Sequence, residues 1–206
     1  MDWSRRWAPY DAATYDAVLA QVGPDDVVLD IGAGDLRLSR RLAARVRRVI
    51  ALEMQPAVAR RGLAAGPLPP NLQVVIADAR RVPFPRGVTV GVLLMRHCPP
   101  AEVARYMRKL RAAGARTLLT NARWGLDVER VDLTAPRVPY AQVSIGWYAC
   151  ACGAVGFVPG PPEALTAAVL GRVHEVVACP ACTARAEPVP PPQPQTSLTT
   201  PITTGG

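Results

Sequence analysis

The chain has 206 residues, enough for one full hydrophobic core and a small appendage but too few for two large domains. Half of the residues are hydrophobic, yet no uninterrupted apolar run approaches the ~20 residues that cross a bilayer. The start, MDWSRRWAPYDAA, lacks the apolar core of a signal peptide. We therefore expect a cytoplasmic protein without a membrane partner.

The formal net charge of +8 favours an acidic partner, with nucleic acid the first candidate. Of the 24 basic residues only Lys109 is a lysine, which together with abundant Ala, Gly and Pro is typical of a GC-rich genome. Five arginines share one stripe of the first predicted crossover helix: Arg37, Arg40, Arg41, Arg45 and Arg48. A solvated helix face explains this stripe equally well, so charge alone does not identify a substrate.

Hydrophobic periodicity predicts strands that alternate with helices as far as residue 121. The predicted strands are Val27–Ile31, Val49–Leu52, Leu72–Ala77, Val88–Met95 and Arg116–Thr120. The predicted helices are Trp3–Gln21, a segment with Leu38, Leu42 and Val46 on one face, Pro56–Ala65 and Ala101–Ala113. This alternation implies a parallel sheet with right-handed crossovers, hence an α/β fold.

After Asn121 the alternation stops. The segments Asp127–Leu133 and Gln142–Ala149 look like strands without a proper helix between them, so the far edge of the sheet is truncated or finished differently. From residue 187 the chain is rich in Pro and Thr and cannot bury enough apolar surface to fold. We predict a sheet domain over residues 1–135, a small element over 136–186 and a disordered tail over 187–206.

One carboxylate marks each of the first three predicted strands. The first strand contains Asp30 and ends in Gly32-Ala33-Gly34, where missing side chains let the backbone turn sharply and approach a ligand. Glu53 closes the second strand and Asp78 the third, at the edge where parallel α/β sheets bind ligands. A dinucleotide site is disfavoured because Arg37 stands where its third glycine would be. The plainer alternative is that the three acids only cap strand ends and helix starts.

The segments VVLDIGAGDLRLSRRLA and VIALEMQP resemble class I methyltransferases that use S-adenosylmethionine (SAM), and the resemblance covers Val22 to Asn121. They are most similar to the first half of the ribosomal-RNA adenine dimethylases. The resemblance implies a Rossmann-like class I methyltransferase sheet and a cofactor site. The implied cofactor residues are Asp30, Gly32 and Gly34, with the glycine loop around the methionine part, Glu53 on the ribose and Asp78 on the adenine.

Two departures from that family stand out. Leu36 occupies the place of a further glycine in the loop. After the fourth strand the adenine methylases have an N-P-P-Y type motif that grips a flipped base, whereas this chain has Met95-Arg96-His97-Cys98-Pro99-Pro100. The resemblance therefore supports the cofactor and leaves the substrate open.

The end of the fourth strand points to the place where the methyl acceptor would lie. We predict His97 as the catalytic base, because the ordinary pKa of a histidine lies near neutrality, with a loop-orienting role as the alternative. Cys98 as a nucleophile is less favoured than Cys98 as a small buried thiol. Predicted substrate contacts are Arg96, Arg123 and Trp124, although a tryptophan that covers the sheet is the simpler interpretation of the last.

Four cysteines form two close pairs, Cys150 with Cys152 and Cys179 with Cys182. Four soft thiolates in tetrahedral reach favour zinc, and a closed sulfur shell leaves no open position for chemistry, so we predict a structural site. The segment resembles a zinc ribbon or a rubredoxin-type knuckle pair, although its C-x-C half departs from the usual C-x-x-C. Disulfides are the alternative, and His174 is a possible substitute ligand.

Two functions of different classes remain open from the sequence. The first is a SAM-dependent methyltransferase that acts on RNA or another nucleic acid, with a small molecule or a protein as the variant acceptor. The second is a SAM-binding module without catalysis, in which the zinc element docks a partner protein. An intact set of Gly32, Gly34, Glu53 and Asp78 favours the first, because a scaffold need not keep a cofactor site. The missing N-P-P-Y motif favours the second.

Overall fold

The computed structural model describes residues 9–186, with the side chains of Thr183, Arg185 and Ala186 excepted. The predicted disordered tail, 187–206, and residues 1–8, which include the start of the predicted helix Trp3–Gln21, lie outside the described residues. Among the described residues no helix is both long and apolar enough to cross a membrane.

A central sheet occupies the first two thirds of the chain. Its elements are α1 (Ala12–Leu19), β1 (Val27–Ile31), α2 (Arg37–Ala43), β2 (Arg48–Glu53), α3 (Pro56–Ala64), β3 (Leu72–Ile76), β4 (Val90–Leu93), α4 (Pro100–Ala113), β5 (Thr117–Thr120) and β6 (Glu129–Asp132). In the described residues the strand order is β3-β2-β1-β4-β5-β6. The first five strands are parallel. The α/β fold with a mainly parallel sheet is therefore confirmed.

Both faces of this sheet are covered, which is why its central strands read as continuous apolar runs. On one face, α1 and α2 contribute Val18, Leu38 and Leu42 to a core that includes Val28 and Val49 of the sheet. On the other face, α4 contributes Tyr106, Met107 and Leu110 to a second core. The strands β1, β4 and β5 are buried along their whole length.

The far edge of the sheet is finished by β6, which runs antiparallel to β5. The sheet is therefore not truncated after β5 but is completed by an antiparallel strand. The helix α1 begins later than predicted, at Ala12, because the side chain of Asp11 caps it by accepting a hydrogen bond from the Thr14 amide at 2.8 Å.

The predicted stripe of five arginines on one helix is wrong. The helix α2 ends at Ala43, so Arg45 lies in the following turn and Arg48 on β2. Arg40 donates to the carbonyl oxygens of Gly62, Gly66 and Pro67 at 2.7–2.9 Å. Arg41 pairs with Asp16, and Arg48 donates to Gln73. Much of this charge therefore has protein partners.

A second sheet follows, built from β7 (Gly146–Cys150), β8 (Val155–Val158) and β9 (Val173–Val176) in the order β8-β7-β9. The predicted strand Gln142–Ala149 is shifted, since Tyr140–Gln142 is a turn of 3₁₀-helix. The elements β8, β9, α5 (Ala167–Leu170) and α6 (Pro180–Ala186) have no counterpart in the sequence prediction. They have only four to seven residues, too few for periodicity to be recognised.

The connection from β3 to β4, residues 77–89, contains no helix. A groove of about 970 Å³ consequently lies over the sheet, lined by Leu29, Leu52, Val75, Phe84 and Arg86 among others. No predicted site residue lines this groove. The candidate chemistry lies elsewhere, at the carboxyl ends of the parallel strands.

Candidate active site and candidate metal centre

The loop after β1 lies across the end of β2. The amides of Gly32 and Ala33 both donate to the Leu52 carbonyl, at 2.8 and 3.1 Å. Gly32 and Gly34 have φ of 74° and 58°, a backbone conformation that glycine adopts without steric cost. A Cβ on Gly32 would lie 2.9 Å from the terminal methyl of Met95. The Met95 side chain thus fills the space that a side chain on Gly32 would need.

Leu36 ends this loop in a left-handed backbone conformation. It has φ of 65°, and it is the one non-glycine among the described residues with positive φ. Its side chain is fully buried in the core beneath α2. Burial of the side chain thus stabilises a left-handed backbone that costs about 1–2 kcal/mol in an L-residue.

Asp30 lies inside the protein, behind the glycine loop. It is 3% exposed and accepts a hydrogen bond of 2.5 Å from the Ser39 hydroxyl at the start of α2. Burial raises the pKa of Asp30 to about 6, with a smaller contribution from the nearby charge of Glu53, while the Ser39 hydrogen bond opposes the shift. Asp30 is placed to fix α2 beneath the loop.

Glu53 ends β2 and is directed at the glycine loop. Its two carboxylate oxygens accept hydrogen bonds from the Gly34 amide at 2.9 Å and the Gln55 amide at 2.7 Å. The residue is 6% exposed. The structure therefore brings together Gly34 and Glu53, two residues 19 apart that the sequence suggested for the cofactor site.

Asp78 follows β3 on the same edge of the sheet, and the Ala77 amide just before it donates to the Glu53 carbonyl at 3.0 Å. Its carboxylate forms a bidentate ion pair with Arg80 at 2.8–3.0 Å, and Arg81 lies 3.7 Å away. The hydrogen bonds from Arg80 lower the pKa of Asp78. A ligand amine at Asp78 would replace or share the contact with Arg80.

The residues after β4 form a turn beside the glycine loop. Arg96 and His97 are both exposed, and the Arg96 amide donates to the Tyr10 hydroxyl at 3.1 Å. The guanidinium of Arg96 lies over the Tyr10 ring, 5.4 Å from its centroid. The side chains predicted for catalysis and for substrate contact are therefore accessible at this turn.

Cys98 points the other way, into the core, and is 5% exposed. Burial raises the pKa of Cys98 to about 12, with Glu102 contributing in the same direction. A thiol with such a pKa is neutral at pH 7, whereas the nucleophile in covalent catalysis is the thiolate. The interpretation of Cys98 as a small buried thiol fits this geometry.

Arg123 is not at the surface. Its side chain is 3% exposed, and its guanidinium lies 2.7 Å from Glu175 on β9 and 3.3 Å from Glu129 on β6. Arg137 pairs with the other oxygen of Glu175 at 3.0 Å. In this arrangement Arg123 joins the two sheets and does not offer the substrate contact that the sequence suggested.

Trp124 is partly exposed and packs edge-to-face on Trp147 of β7, with 5.4 Å between ring centroids. Trp147 in turn meets Phe157 of β8 at 4.8 Å. The Trp124 indole donates to Glu129 at 3.3 Å. These three rings form a row that begins at the turn after β5. That turn lies close to the turn after β4, since a Cβ on Gly125 would be 4.0 Å from the Arg96 carbonyl oxygen.

The four paired cysteines converge on one point of the second sheet. The sulfurs of Cys150, Cys152, Cys179 and Cys182 all lie within 4.8 Å of one another. The sulfurs of Cys150 and Cys182 lie 3.5 Å apart, those of Cys152 and Cys179 3.8 Å, and those of Cys179 and Cys182 4.0 Å. A tetrahedral zinc with bonds of about 2.3 Å requires sulfurs about 3.8 Å apart, whereas a disulfide requires about 2.05 Å.

The donor set thus fits one tetrahedral metal ion, and all four thiols are free. Burial raises the pKa of the Cys150 and Cys152 thiols, which a bound dication would reverse by stabilising the thiolates. His174 lies on β9 opposite Tyr148 and is not part of this group. The structure therefore supports a four-sulfur candidate site.

Sequence reasoning missed three features. Met54, next to Glu53, is 50% exposed although it is a large apolar residue. Tyr10 contacts Arg96 from the N-terminal segment. Glu175 binds Arg123 across 52 residues. An apolar residue directly after a strand-ending acid is a weak sequence signal for the role of Met54. The pairs Tyr10–Arg96 and Arg123–Glu175 join distant parts of the chain and leave no signal in a single sequence.

Together, the strand order, the glycine loop and the acids at the ends of β2 and β3 give an α/β sheet of the class I methyltransferase type, with a small cysteine-rich element near its C-terminus. Residues 28–117 match the Methyltransferase domain family. The match supports SAM as the cofactor of this segment.

Among curated proteins, the chain is similar to the probable ribosomal RNA small subunit methyltransferase A of Methanosarcina barkeri, with 40% identity over 77 residues, or 36% of this chain and 27% of that protein. The corresponding protein of Methanosarcina mazei is 38% identical over 77 residues, which cover 36% of this chain and 28% of that protein. The matched region thus spans about a quarter of these relatives. Among solved structures, the 23S rRNA methyltransferase ErmE is 28% identical, with a TM-score of 0.45, over 54% of this chain and 46% of that one.

Proposed function

We propose that the protein is a SAM-dependent methyltransferase that acts on RNA. The observation that carries this proposal is the convergence of the glycine loop, Glu53 and Asp78 on one edge of the sheet, with an exposed histidine at the neighbouring strand end. The relatives named above are ribosomal RNA methyltransferases, which favours RNA among the acceptors. A cytoplasmic location stays a prediction of the sequence.

In the proposed site Gly32 and Gly34 admit the methionine part, and the Glu53 carboxylate accepts the ribose hydroxyls. Asp78 accepts the adenine amine in place of a contact with Arg80. Met54 is half exposed beside Glu53, so its side chain can cover the apolar face of the adenine. When bound, SAM supplies an electrophilic methyl group on a sulfonium.

On the acceptor side His97 takes the proton of an acceptor that must lose one. It lies in the turn after β4, at the edge of the sheet that also carries the glycine loop. The terminal methyl of Met95, two residues before it, lies 2.9 Å from where a Cβ on Gly32 would be. Arg96 is exposed beside it and is suited to a phosphate of the substrate. Trp124 offers part of a ring for stacking, whereas Arg123 has a structural role in this proposal.

We further propose that Cys150, Cys152, Cys179 and Cys182 bind one zinc ion. Four thiolates fill its shell, so the ion stabilises the second sheet and takes no part in transfer. Elemental analysis of the purified protein should give about one zinc per chain. Protein that folds without metal and carries two disulfides after reducing purification would contradict this assignment.

The proposal is tested by methyl transfer itself. The protein is incubated with labelled SAM and separate pools of ribosomal RNA, transfer RNA, DNA and cell protein, and mass spectrometry checks the purified protein for bound SAM or its demethylated product. We expect label in an RNA pool. Label only in protein or small metabolites would contradict the RNA assignment.

A second candidate function is a SAM-binding module that docks a partner protein without catalysis. It is favoured by the sequence Met95-Arg96-His97-Cys98-Pro99-Pro100, which replaces the base-gripping motif of the adenine methylases. Bound SAM together with no label in any pool would favour this function.

A further inference from the structure

The cysteine element touches the methyltransferase sheet at one very close point. Gly153, directly after Cys152, has φ of 91°, and a Cβ built on it would lie 1.8 Å from the Pro100 carbonyl oxygen and 2.4 Å from its carbon. The Gly153 amide donates to the Cys150 carbonyl at 2.9 Å, so this backbone belongs to the turn that carries two of the sulfurs. Only glycine allows the two backbones to approach this closely.

Pro100 is the first residue of α4 and ends the segment 95–100, which contains His97. The start of this segment is held by Asn121 at the end of β5, whose side-chain oxygen accepts from the Met95 amide at 2.9 Å. Inside it, the Cys98 amide donates to the Met95 carbonyl at 2.8 Å. The segment is thus fixed at one end by β5 and at the other by the cysteine turn.

A buried ion-pair network holds the cysteine element against the sheet near the same place. Arg123, two residues after Asn121, pairs with Glu175 of β9 at 2.7 Å. Glu175 lies four residues before Cys179, and Arg137 completes the network at 3.0 Å. The element that carries the four sulfurs therefore meets the first sheet and its helices at two places, at Pro100 through Gly153 and at Arg123 through Glu175.

We infer that Gly153 is a positioning residue, through which the metal-bound cysteine turn holds the segment 95–100 and sets the place of His97. This rests on the proposed function where it concerns His97 in methyl transfer and the zinc ion on the four cysteines. The coupling between the cysteine turn and the segment is a property of the fold and can be measured without any substrate.

The test compares Gly153→Ala with Gly114→Ala by hydrogen exchange of the amides of Met95, Arg96, Cys98 and Val103. Gly114 is the matched control, because its φ of 93° gives the same backbone strain in alanine but no atom lies within 4 Å of the added Cβ. We expect these amides to exchange at least about tenfold faster in Gly153→Ala and unchanged in Gly114→Ala. Equal exchange in the two variants would overturn the inference.

Metal removal provides a second measurement that does not require the variant to fold. The wild-type protein is treated with a chelator, and exchange is followed over the whole chain. We expect faster exchange around the four cysteines and also in the segment 95–100. Exchange that rises only in the cysteine element would show that the segment does not depend on it.

Where an RNA acceptor is found, Gly153→Ala should lower kcat at least about tenfold with the Kd for SAM unchanged, since the glycine loop keeps its own hydrogen bonds to Glu53 and to the Leu52 carbonyl. Gly114→Ala should keep both values. A fall in SAM affinity parallel to kcat would contradict a positioning role. Absence of transfer by the wild-type protein would count against the proposed function, while the exchange measurements would still decide the coupling.

Discussion

The two halves of the candidate site are held together in different ways. In the cofactor half, which comprises the glycine loop, Glu53 and Asp78, the polar contacts of the two carboxylates stay within one sheet and its loops and join residues at most 19 apart: Glu53 accepts from the backbone amides of Gly34 and Gln55, and Asp78 pairs with Arg80. In the acceptor half, the turn with His97 is held by contacts with Tyr10, with Asn121 and with the cysteine turn at Gly153. These contacts join segments 26 to 86 residues apart or belong to a different sheet.

The difference has a consequence for function. The cofactor half depends on one sheet and its loops, so it should bind SAM even when the second sheet is damaged. The acceptor half depends on both sheets, so transfer should be sensitive to the cysteine element. A variant can therefore separate cofactor affinity from turnover, and the following predictions test whether it does.

The largest effect is expected at His97. His97→Asn keeps a polar side chain but cannot accept a proton, so turnover should fall by roughly 10²–10⁴, the usual contribution of a general base. The Kd for SAM, measured by calorimetry, should be unchanged because the cofactor half is intact. His174→Asn, at the other histidine of the chain, is the control and should retain turnover.

Parallel losses of SAM affinity, stability and turnover in His97→Asn would show that His97 only shapes the loop. The two halves would then not be separable at this position, and the assignment of a base would have to be withdrawn.

Next in size is the buried network between the sheets. Arg123→Met keeps the alkyl part but removes the guanidinium from two partly buried acids, leaving Glu175 with Arg137 alone and Glu129 with the Trp124 indole. Breaking a fully buried pair typically costs about 3–5 kcal/mol in the free energy of unfolding, so with these remaining partners we expect a loss of about 2–3 kcal/mol. Urea denaturation measures this loss, and SAM affinity should persist below the transition. Arg172→Met, an exposed arginine beside β9, should change stability by less than about 0.5 kcal/mol.

If Arg123 instead contacts the substrate, Arg123→Met would raise the KM for RNA at unchanged stability. That result would restore the role that the sequence suggested and would contradict the buried ion pair as the main function of this side chain.

The same contrast explains what could be predicted from the sequence. The five parallel strands and their helices follow from apolar runs and from helical spacing such as Leu38 to Leu42. The common edge that carries the candidate cofactor residues follows from strand order, because every parallel strand ends at the same edge. The cysteine cluster follows from spacing, since both pairs are close in sequence.

The acceptor half could not be predicted to the same depth. Arg123 lies one residue from Trp124 at a strand end, a place typical of substrate contacts, and its burial depends on Glu175 in a strand that the sequence did not reveal. In the sequence alone Gly153 cannot be distinguished from an ordinary turn glycine, because its close approach to the Pro100 backbone is visible only in the structure. Long-range contacts of this kind leave no periodic pattern in a single sequence.

A third prediction concerns pH and the cofactor half. The pKa of Asp30 is raised to about 6 in the folded protein, above 3.8 for the free carboxyl, because burial favours the neutral form. Its contribution to stability is therefore present below pH 3.8 and is lost as the pH rises through about 6. The shift of about two pKa units corresponds to about 3 kcal/mol.

Asp30→Asn should therefore raise the free energy of unfolding at pH 8 by up to about 3 kcal/mol, while the Ser39 hydroxyl can still donate to the amide oxygen. The difference between variant and wild type should disappear near pH 4, as measured by urea denaturation across this range. Lower stability of Asp30→Asn at pH 8 would show that the fold requires the charged carboxylate.

The smallest expected effect lies at Glu53 and tests the cofactor half alone. Loss of a charge-assisted hydrogen bond partner typically costs about 1.5–3 kcal/mol, so Glu53→Ala should weaken SAM binding roughly ten- to hundredfold by calorimetry. Since Glu53 also accepts the Gly34 and Gln55 amides, the variant must be compared with wild type at matched fractions folded. Glu163→Ala, an exposed acid of the second sheet region, is the control and should keep the wild-type Kd.

Zinc content and exchange in the segment 95–100 should be unchanged in Glu53→Ala, because none of the contacts of that segment reaches this carboxylate. Unchanged SAM affinity would remove Glu53 from the cofactor site, and altered exchange in the segment would show that the two halves are coupled after all.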